Sequence, residues 1–225
     1  MKRFLDSGLL SGLRSGLLSG LLLITVALAQ AEMSVQPYGD QIINGDNSQV
    51  LPSGGIVDDS KHGVKIDAKY IEFKAGEYVR AKTATIKTRN GQSITTSSLN
   101  YQVKADRMAL AGPLAFSDEY VKNLSSGSAV IYPDAGVMVG VGGVTAASPQ
   151  ISATSMVVDG ERKEAFLFGN YRYKSKDGKL TLSNQGAEAG LLINFTNRDK
   201  PRVSSGSDVP AGIRARFVGL IGRSQ

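Results

Sequence analysis

Residues 64–73 read Val-Lys-Ile-Asp-Ala-Lys-Tyr-Ile-Glu-Phe. Apolar and polar side chains alternate at the start of this stretch and again at its end, which predicts a half-buried β-strand. From Ile66 onward it reduces to a short pattern: apolar-x-small-x-x-apolar-x-apolar. Because strands alternate with a period of two, the patterned side chains are expected to face one core.

The same pattern returns at a nearly fixed interval along the chain. Copies begin at Ile66, Ile94, Leu124 and Ile151, a worn copy begins at Leu180, and the starts are 28, 30, 27 and 29 residues apart. After residue 31, no window of 11 or more residues carries a convincing helical stripe. The sequence therefore predicts an all-β domain of stacked antiparallel strand-turn-strand repeats of about 28 residues.

A second landmark follows each of the first four copies by 18 residues: Ala84, Gly112, Gly142 and Gly169. A glycine at a fixed place in a strand is unfavourable unless its missing side chain lets the chain bend or another backbone approach. Turn signals also punctuate the runs, at residues 75–76, 90–91, 111–113, 133–134, 159–160 and 177–178. The alternative is that 26 glycines offer such matches by chance.

Stacked units of this kind enclose one apolar interior, because neither strand of a unit can bury its apolar face alone. No ionisable group occupies the repeated apolar positions. Composition leaves two states open: an interior packed by its own side chains, or a groove that accepts acyl chains.

Three phrases resemble the organic-solvent-tolerance (OstA-like) repeat family: residues 66–73 (IDAKYIEF), 104–108 (KADRM) and 167–171 (LFGNY). The resemblance covers roughly residues 64–195. It implies a β-jellyroll whose apolar groove carries lipopolysaccharide-like lipid between the membranes of a cell envelope, with no cofactor. It also implies edge strands that add other jellyrolls, other envelope proteins or a second copy of the chain.

The resemblance further implies a set of groove-lining residues. For each of them, plain core packing is the alternative to lipid contact. The set is Ile66, Ile71, Phe73, Leu99, Tyr101, Leu110, Phe116, Ile131, Val141, Met156, Val158, Leu167, Tyr171 and Tyr173.

The N-terminus carries the features of a secretory signal. Basic residues precede an apolar run from Leu17 to Ala29, and residues 29–31 (AQA) form a small-x-small cleavage pattern. The run is too short for a bilayer span of about 20 residues, so a retained anchor is the weaker interpretation. The chain divides into a signal peptide (1–31), an irregular lead-in (32–62), an OstA-like β repeat domain (63–197), and a polar linker with a terminal edge strand or tail (198–225).

Charge and composition exclude several functions. Residues 1–31 hold three basic groups and one acidic group, so the net charge of +6 becomes +6 − 3 + 1 = +4 for the remainder. No basic run is interleaved with aromatic residues, which argues against nucleic acid. With no Cys and one His, thiol chemistry and multi-histidine metal sites are excluded, and no catalytic set stands out.

Three further segments have a structural interpretation rather than a chemical one. His62 is expected to be solvated in a turn, and residues 45–47 and 58–59 lack the ligand spacing of a Ca²⁺ loop, so no metal site is expected. Residues 140–143 lack the helix that a phosphate-binding loop requires. Residues 213–221 recover apolar content, which predicts either a final edge strand with Arg214 and Arg216 facing water or lipid phosphate, or a partner-binding tail.

The function expected from the sequence is therefore that of an exported, non-catalytic periplasmic or envelope protein that binds or relays amphipathic lipid, with a role in lipopolysaccharide export and outer-membrane biogenesis. The alternative is a structural envelope or surface-layer protein, a packed β-repeat that acts through protein contacts at its edges.

Overall fold

The computed structural model describes residues 33–89 and 91–224. The expected signal peptide therefore lies outside the described residues. The described residues form seventeen strands of one antiparallel sheet, followed by one α-helix. The strands are β1 (Met33–Pro37), β2 (Ile42–Ile43), β3 (Gln49–Leu51), β4 (Gly55–Asp59), β5 (Val64–Lys74), β6 (Tyr78–Thr88), β7 (Ser93–Gln102), β8 (Arg107–Ser117), β9 (Leu124–Tyr132), β10 (Val137–Ala146), β11 (Gln150–Ala153), β12 (Ser155–Asp159), β13 (Glu164–Phe168), β14 (Tyr171–Lys174), β15 (Thr181–Asn184), β16 (Gly190–Asn194) and β17 (Arg202–Ser205). The helix is α1 (Ala211–Gly222).

The predicted all-β fold of stacked repeats is confirmed. The first three copies of the pattern lie within β5, β7 and β9, one copy in each strand. The fourth copy spans β11 and β12. Every patterned side chain of these four copies is buried, including the small residues Thr96 and Ser126. Consecutive strands from β5 to β10 pair as a meander, which is the arrangement expected when each unit contacts mainly its neighbours.

Each long strand bends near its middle, at the two unpatterned positions between the small residue and the next apolar residue. In β5 the buried side chains are Val64, Ile66 and Ala68, then Ile71 and Phe73, so the alternation slips by one residue at the bend. Pairing is interrupted at the same level in neighbouring strands, for example between Ala111 and Leu114 of β8. The bend keeps apolar side chains on one side of the strand although its direction changes.

The glycine landmark marks these bends. Gly112, Gly142 and Gly169 have φ angles of +89°, +77° and +65°, a left-handed conformation that glycine adopts without steric cost. Residues 111–113, which the sequence predicts as a turn, lie inside β8 because the bend does not end the strand. In β6 the bend falls one residue before Ala84, at Thr83, with φ +52°.

The bends divide the sheet into two layers. The β4 strand pairs with the first half of β5 and β3 with its second half; at the other end, β11 pairs with the second half of β10 and β12 with its first half. The first layer, which contains β4 and β11, starts at β1 and ends at β15; the second layer, which contains β3 and β12, starts at β2 and ends at β17. One cluster of buried side chains fills the space between the layers.

The lead-in, residues 32–62, contains more regular structure than its sequence predicts. Four short strands occupy it, and β3 and β4 extend the sheet along the free edge of β5. Backbone hydrogen bonding to an open edge requires little side-chain pattern, which is why Gly- and Ser-rich segments join the sheet. The fifth, degenerate copy of the pattern, at the opposite end of the sheet, is not buried like the others. Its first residue, Leu180, is 39% exposed and precedes the edge strand β15.

The C-terminal segment 213–221 is a helix, not the predicted edge strand. Phe217 and Ile221 are buried against the outer face of the second layer, where Val139, Val157 and Phe166 form a second apolar cluster. The ring of Phe217 stacks on that of Phe166 with centroids 5.4 Å apart. The outer face of this layer is therefore covered around β10, β12 and β13, which explains why all five residues of β12 are buried.

Candidate functional site

The space between the layers holds nearly all the predicted groove residues. All but one of the fourteen belong to the main core cluster, and their exposed fractions range from 0% at Ile71 to 6% at Tyr171. The fold thus brings together residues as far apart in sequence as Ile66 and Tyr173. Their contact with lipid stays a prediction.

Val141 is the exception, and its predicted place in the interior is corrected. It is half-buried and packs with the apolar cluster on the outer face of the second layer. Along β10, Met138 belongs to the interior cluster, whereas Val137, Val139 and Val141 belong to the outer one. Side chains alternate between the two faces of a strand, so Val141 shares the outer face with Val139 up to the bend at Gly142.

The interior is packed by its own side chains in this structure. Phe73 and Met156, near the two ends of the patterned region, are 2% and 1% exposed. An acyl chain can therefore lie between the layers only if the layers part. Parting must occur at the rim opposite the bends, where separate turns of the two layers meet; this rim is here called the mouth.

A hydrogen-bonded group closes the mouth near the N-terminal end of the sheet. His62, in the first-layer turn between β4 and β5, places Nδ1 2.7 Å from Oδ2 of Asp59. The Tyr101 hydroxyl, from the second layer, donates to the same oxygen over 2.8 Å. Burial, followed by the hydrogen bond to Asp59, raises the pKa of Tyr101. The layers are thus joined by a polar contact next to the apolar core.

The expectation that His62 is solvated is wrong: the residue is 8% exposed. The Asp59 carboxylate also accepts the His62 backbone N–H over 3.2 Å, and this tight turn folds the ring inward against Tyr101. The sequence showed a polar stretch around one histidine, and nothing in its spacing linked residue 62 to residue 101.

Toward the C-terminal end, the mouth contains a stacked aromatic pair and an open cavity. Tyr120, in a first-layer turn, stacks on Phe195 of the second layer with ring centroids 5.4 Å apart. The neighbouring cavity of about 190 Å³ lies between turn 175–180 of the first layer and turn 195–201 of the second. The core residues Tyr173 and Phe195 form part of its wall, so the cavity lies directly against the apolar interior.

Three lysines border the same cavity: Lys176, Lys179 and Lys200. Asp177 and Asp199 line it as well, which leaves a local charge of +3 − 2 = +1. The Asp177 carboxylate is held by the Ser175 hydroxyl over 2.6 Å, and that hydrogen bond lowers the pKa of Asp177. An apolar opening beside flexible ammonium groups suits a molecule with acyl chains and an anionic head.

The sequence did not identify this opening. Lys176 and Lys179 flank an Asp-Gly turn, whereas Lys200 lies about twenty residues later beside Pro201. Each looks like an ordinary surface charge. A usable signal existed: turns that join two strands of the same layer lie on the rim opposite the bends, so two successive lysine-bearing turns, one from each layer, become neighbours.

The other segments weighed from sequence have structural roles. Asp46 accepts the Ser48 backbone N–H over 3.0 Å and its hydroxyl over 2.6 Å, and the side-chain bond is the main cause of its lowered pKa. Residues 140–143 lie within β10, at the bend where its register shifts. No helix begins there to orient backbone N–H groups toward a phosphate.

Comparison with known proteins finds similarity among solved structures. No family model matches the chain, and no curated protein matches it. Among solved structures, the chain is similar to LptH from Pseudomonas aeruginosa, which is described as the LptA-homologous periplasmic component of the conserved lipopolysaccharide transport device. The identity is 12% and the TM-score 0.35, over 77% of this chain and 93% of that chain.

Across residues 33–89 and 91–224, no helical segment combines the length and the apolar character that a bilayer crossing requires.

Proposed function

We propose that this protein is a non-catalytic component of a cell envelope, exported to the periplasm, that binds or relays an amphipathic lipid of the lipopolysaccharide type between its two β-layers. The resemblance of residues 66–73 and 167–171 to the OstA-like repeat supports this class of ligand. The protein acts passively: it shelters acyl chains and leaves the head group in water.

The opening at the C-terminal end of the mouth carries this proposal. There the core residues Tyr173 and Phe195 form part of the wall of a cavity of about 190 Å³ that three lysines border. A lipid with several acyl chains and phosphate groups can place its chains against the aromatic rings and its phosphates near the ammonium groups. Burial of apolar surface supplies the affinity, at about 25 cal/mol per Å².

Loading then proceeds by separation of the layers along the mouth. The contacts described across the mouth are between side chains, such as Tyr101 with Asp59 and Tyr120 with Phe195. On the opposite side, the backbone of each long strand runs from one layer to the other through its bend. Each acyl chain that enters replaces side-chain packing with lipid packing of similar apolar character. The layers therefore part at the turns and remain joined at the bends.

Site-specific photo-crosslinking in cells tests the proposal. A photoreactive amino acid replaces Phe73 or Met156, whose side chains face the interior, and after irradiation the purified protein is examined by mass spectrometry. We expect covalent adducts of an acylated, phosphate-bearing lipid. Replacing Lys176 and Lys179 by glutamine is expected to lower the adduct yield severalfold, because the head group loses its cationic neighbours.

Matched controls lie on other strands of the same sheet. The photoreactive amino acid at Lys82 or Asn100, which point outward from β6 and β7, should give no lipid adduct above background. Protein adducts alone at Phe73 and Met156 would contradict lipid relay. Equal lipid capture at the inward and outward positions would show adventitious membrane contact and would also contradict it.

A structural envelope protein is the second candidate, and the exposed edge of the second layer favours it. In β2, Ile42 and Ile43 are 52% and 68% exposed, and the nearby Tyr38 is 54% exposed. An apolar edge strand of this kind can pair with a strand of another chain. The crosslinking experiment separates the two candidates, because protein adducts without lipid would support this second one.

A further inference from the structure

Three side chains at the mouth converge from turns that are distant in sequence. His62 lies between β4 and β5, Asp106 follows the short 3₁₀ turn after β7, and Asp134 lies between β9 and β10. Each offers one nitrogen or oxygen atom, and these atoms all lie within 4.8 Å of one another. His62 belongs to the first layer, whereas both aspartates belong to the second.

The orientation of His62 leaves one ring nitrogen available. Nδ1 lies 2.7 Å from the Asp59 carboxylate, which can only accept when ionised, so Nδ1 carries the proton and Nε2 has a free lone pair. Nε2 faces the aspartates; the Asp134 Oδ2 atom is 3.7 Å away, beyond hydrogen-bond length. The side chain is 6% exposed, so water does not fully solvate Nε2.

Asp59 and Tyr101 hold this orientation in place. The Tyr101 hydroxyl donates to Asp59 Oδ2, and Asp59 binds both the ring and the backbone N–H of His62. A histidine whose second nitrogen donates to a buried carboxylate is the arrangement that metal-ligating histidines adopt, because it fixes the tautomer and strengthens the ligand.

The two aspartates bring two carboxylates close together. The Asp134 backbone N–H lies 3.2 and 3.1 Å from the two carboxylate oxygens of Asp106, and this contact fixes the Asp106 side chain. Oxygen atoms of Asp106 and Asp134 lie within 4.8 Å of each other, where two ionised carboxylates repel. Asp106 also has a left-handed backbone, with φ +45°. A divalent cation between the aspartates and His62 would relieve this repulsion.

We propose that His62 Nε2, Asp106 and Asp134 bind a divalent transition-metal ion, with Zn²⁺ as the best match, across the mouth between the two layers. One imidazole and two carboxylates suit Zn²⁺, with a fourth position left for water. Metal–ligand bonds of about 2.0–2.2 Å require the ligand atoms to lie roughly 3.3 Å apart, which small rotations of Asp106 and Asp134 achieve. The ion joins the layers, and its removal frees that part of the mouth.

The histidine content of the chain makes the test direct. His62 is the one histidine in the sequence, so its imidazole signals in a ¹⁵N–¹H NMR spectrum need no assignment. The full chain is purified without a histidine tag, treated with EDTA, and titrated with ZnCl₂ at pH 7. We expect one ion per chain by calorimetry and a large, saturable shift of the His62 Nε2 resonance.

Variants separate a specific site from diffuse attraction. Asp134→Asn removes a ligand that is 58% exposed, so the fold should be retained, and affinity for Zn²⁺ should fall at least tenfold. Glu161→Gln removes a neighbouring acidic group that lines the same part of the mouth and should change the affinity less than twofold. An unmoved His62 resonance, or equal effects of the two substitutions, would overturn the proposal.

Discussion

At the scale of single residues, the bends depend on a left-handed backbone conformation that residues other than glycine adopt only at an energetic cost. Gly112 and Gly142 have similar φ angles, +89° and +77°, but their surroundings differ. A Cβ on Gly112 would lie 2.4 Å from the Ser97 hydroxyl oxygen, whereas a Cβ on Gly142 would meet no atom within 4 Å. The two glycines therefore separate conformational strain from steric contact.

We predict that Gly142→Ala lowers the free energy of unfolding by about 1–2 kcal/mol, the usual penalty for an L-residue in the left-handed region. Gly112→Ala should cost more, because the added methyl also collides with Ser97. Urea denaturation of both variants measures the difference. Equal losses for the two would mean that Ser97 moves aside without penalty.

Asp106 gives a prediction about pH. Burial raises its folded-state pKa, so between the unfolded and folded pKa values the folded protein binds more protons than the unfolded chain. Stability therefore falls as pH rises through that window. In EDTA, Asp106→Asn should raise the melting temperature at pH 7, and the difference should disappear near pH 3, because asparagine keeps the acceptor and tolerates positive φ.

Thermal melts at both pH values check this expectation, with Asp40→Asn, at an exposed position, as the control. A lower melting temperature for Asp106→Asn at pH 7 would contradict a destabilising carboxylate. Saturating Zn²⁺ should reverse the order of the two proteins, since the wild type alone keeps all three metal ligands.

At the scale of elements, helix α1 shows why a pattern can fit two structures. Ile213, Phe217 and Ile221 are spaced by four, which fits a helix. Residues 213–217 also alternate apolar side chains with arginine, as in an edge strand. The surface they meet decides between them. The outer face of the second layer is apolar through Val139, Val157 and Phe166, and a helix covers such a face better than one added strand.

Phe217→Ala should lower the free energy of unfolding by about 3–4 kcal/mol, the range for truncating a buried phenylalanine. The ring is fully buried and stacks on Phe166. Ala215→Gln, on the exposed side of the same helix, should change stability by less than about 0.5 kcal/mol. Urea melts with a fluorescent probe of exposed apolar surface measure both; similar effects would mean that α1 is not held by this contact.

A salt-bridged residue completes the docking of α1. Arg216 lies 3.3 Å from Asp159 and 3.1 Å from Glu164, which bound the turn between β12 and β13. These partners explain why Arg216, which the sequence placed toward solvent on an edge strand, instead faces protein. A signal for the covered face did exist. Residues 156–158 and 165–168 are unbroken apolar runs, which indicate burial on both faces of a strand.

At the scale of the whole molecule, the repeats could be predicted from the sequence because the same pattern of apolar and small residues recurs in each copy. Ile66, Ile94, Leu124 and Ile151 occupy equivalent buried places in every second strand, on β5, β7, β9 and β11. The division into two layers was not predicted, since it depends on where β5 and β10 change partners. The mouth was missed for the same reason: His62 and Asp134 become neighbours only when the layers fold together.

The repeating bend also makes the length of the interior depend on the number of repeat units. Each 28-residue unit adds two strands to the stack, and neighbouring strands lie about 4.7–4.9 Å apart, so one duplicated unit would extend the enclosed space by roughly 9.5 Å. Deleting a unit would shorten it by the same step. Because every unit carries its own corner, such gains or losses leave the cross-section unchanged, and the distance spanned can be altered by recombination while the chemistry of the wall is preserved.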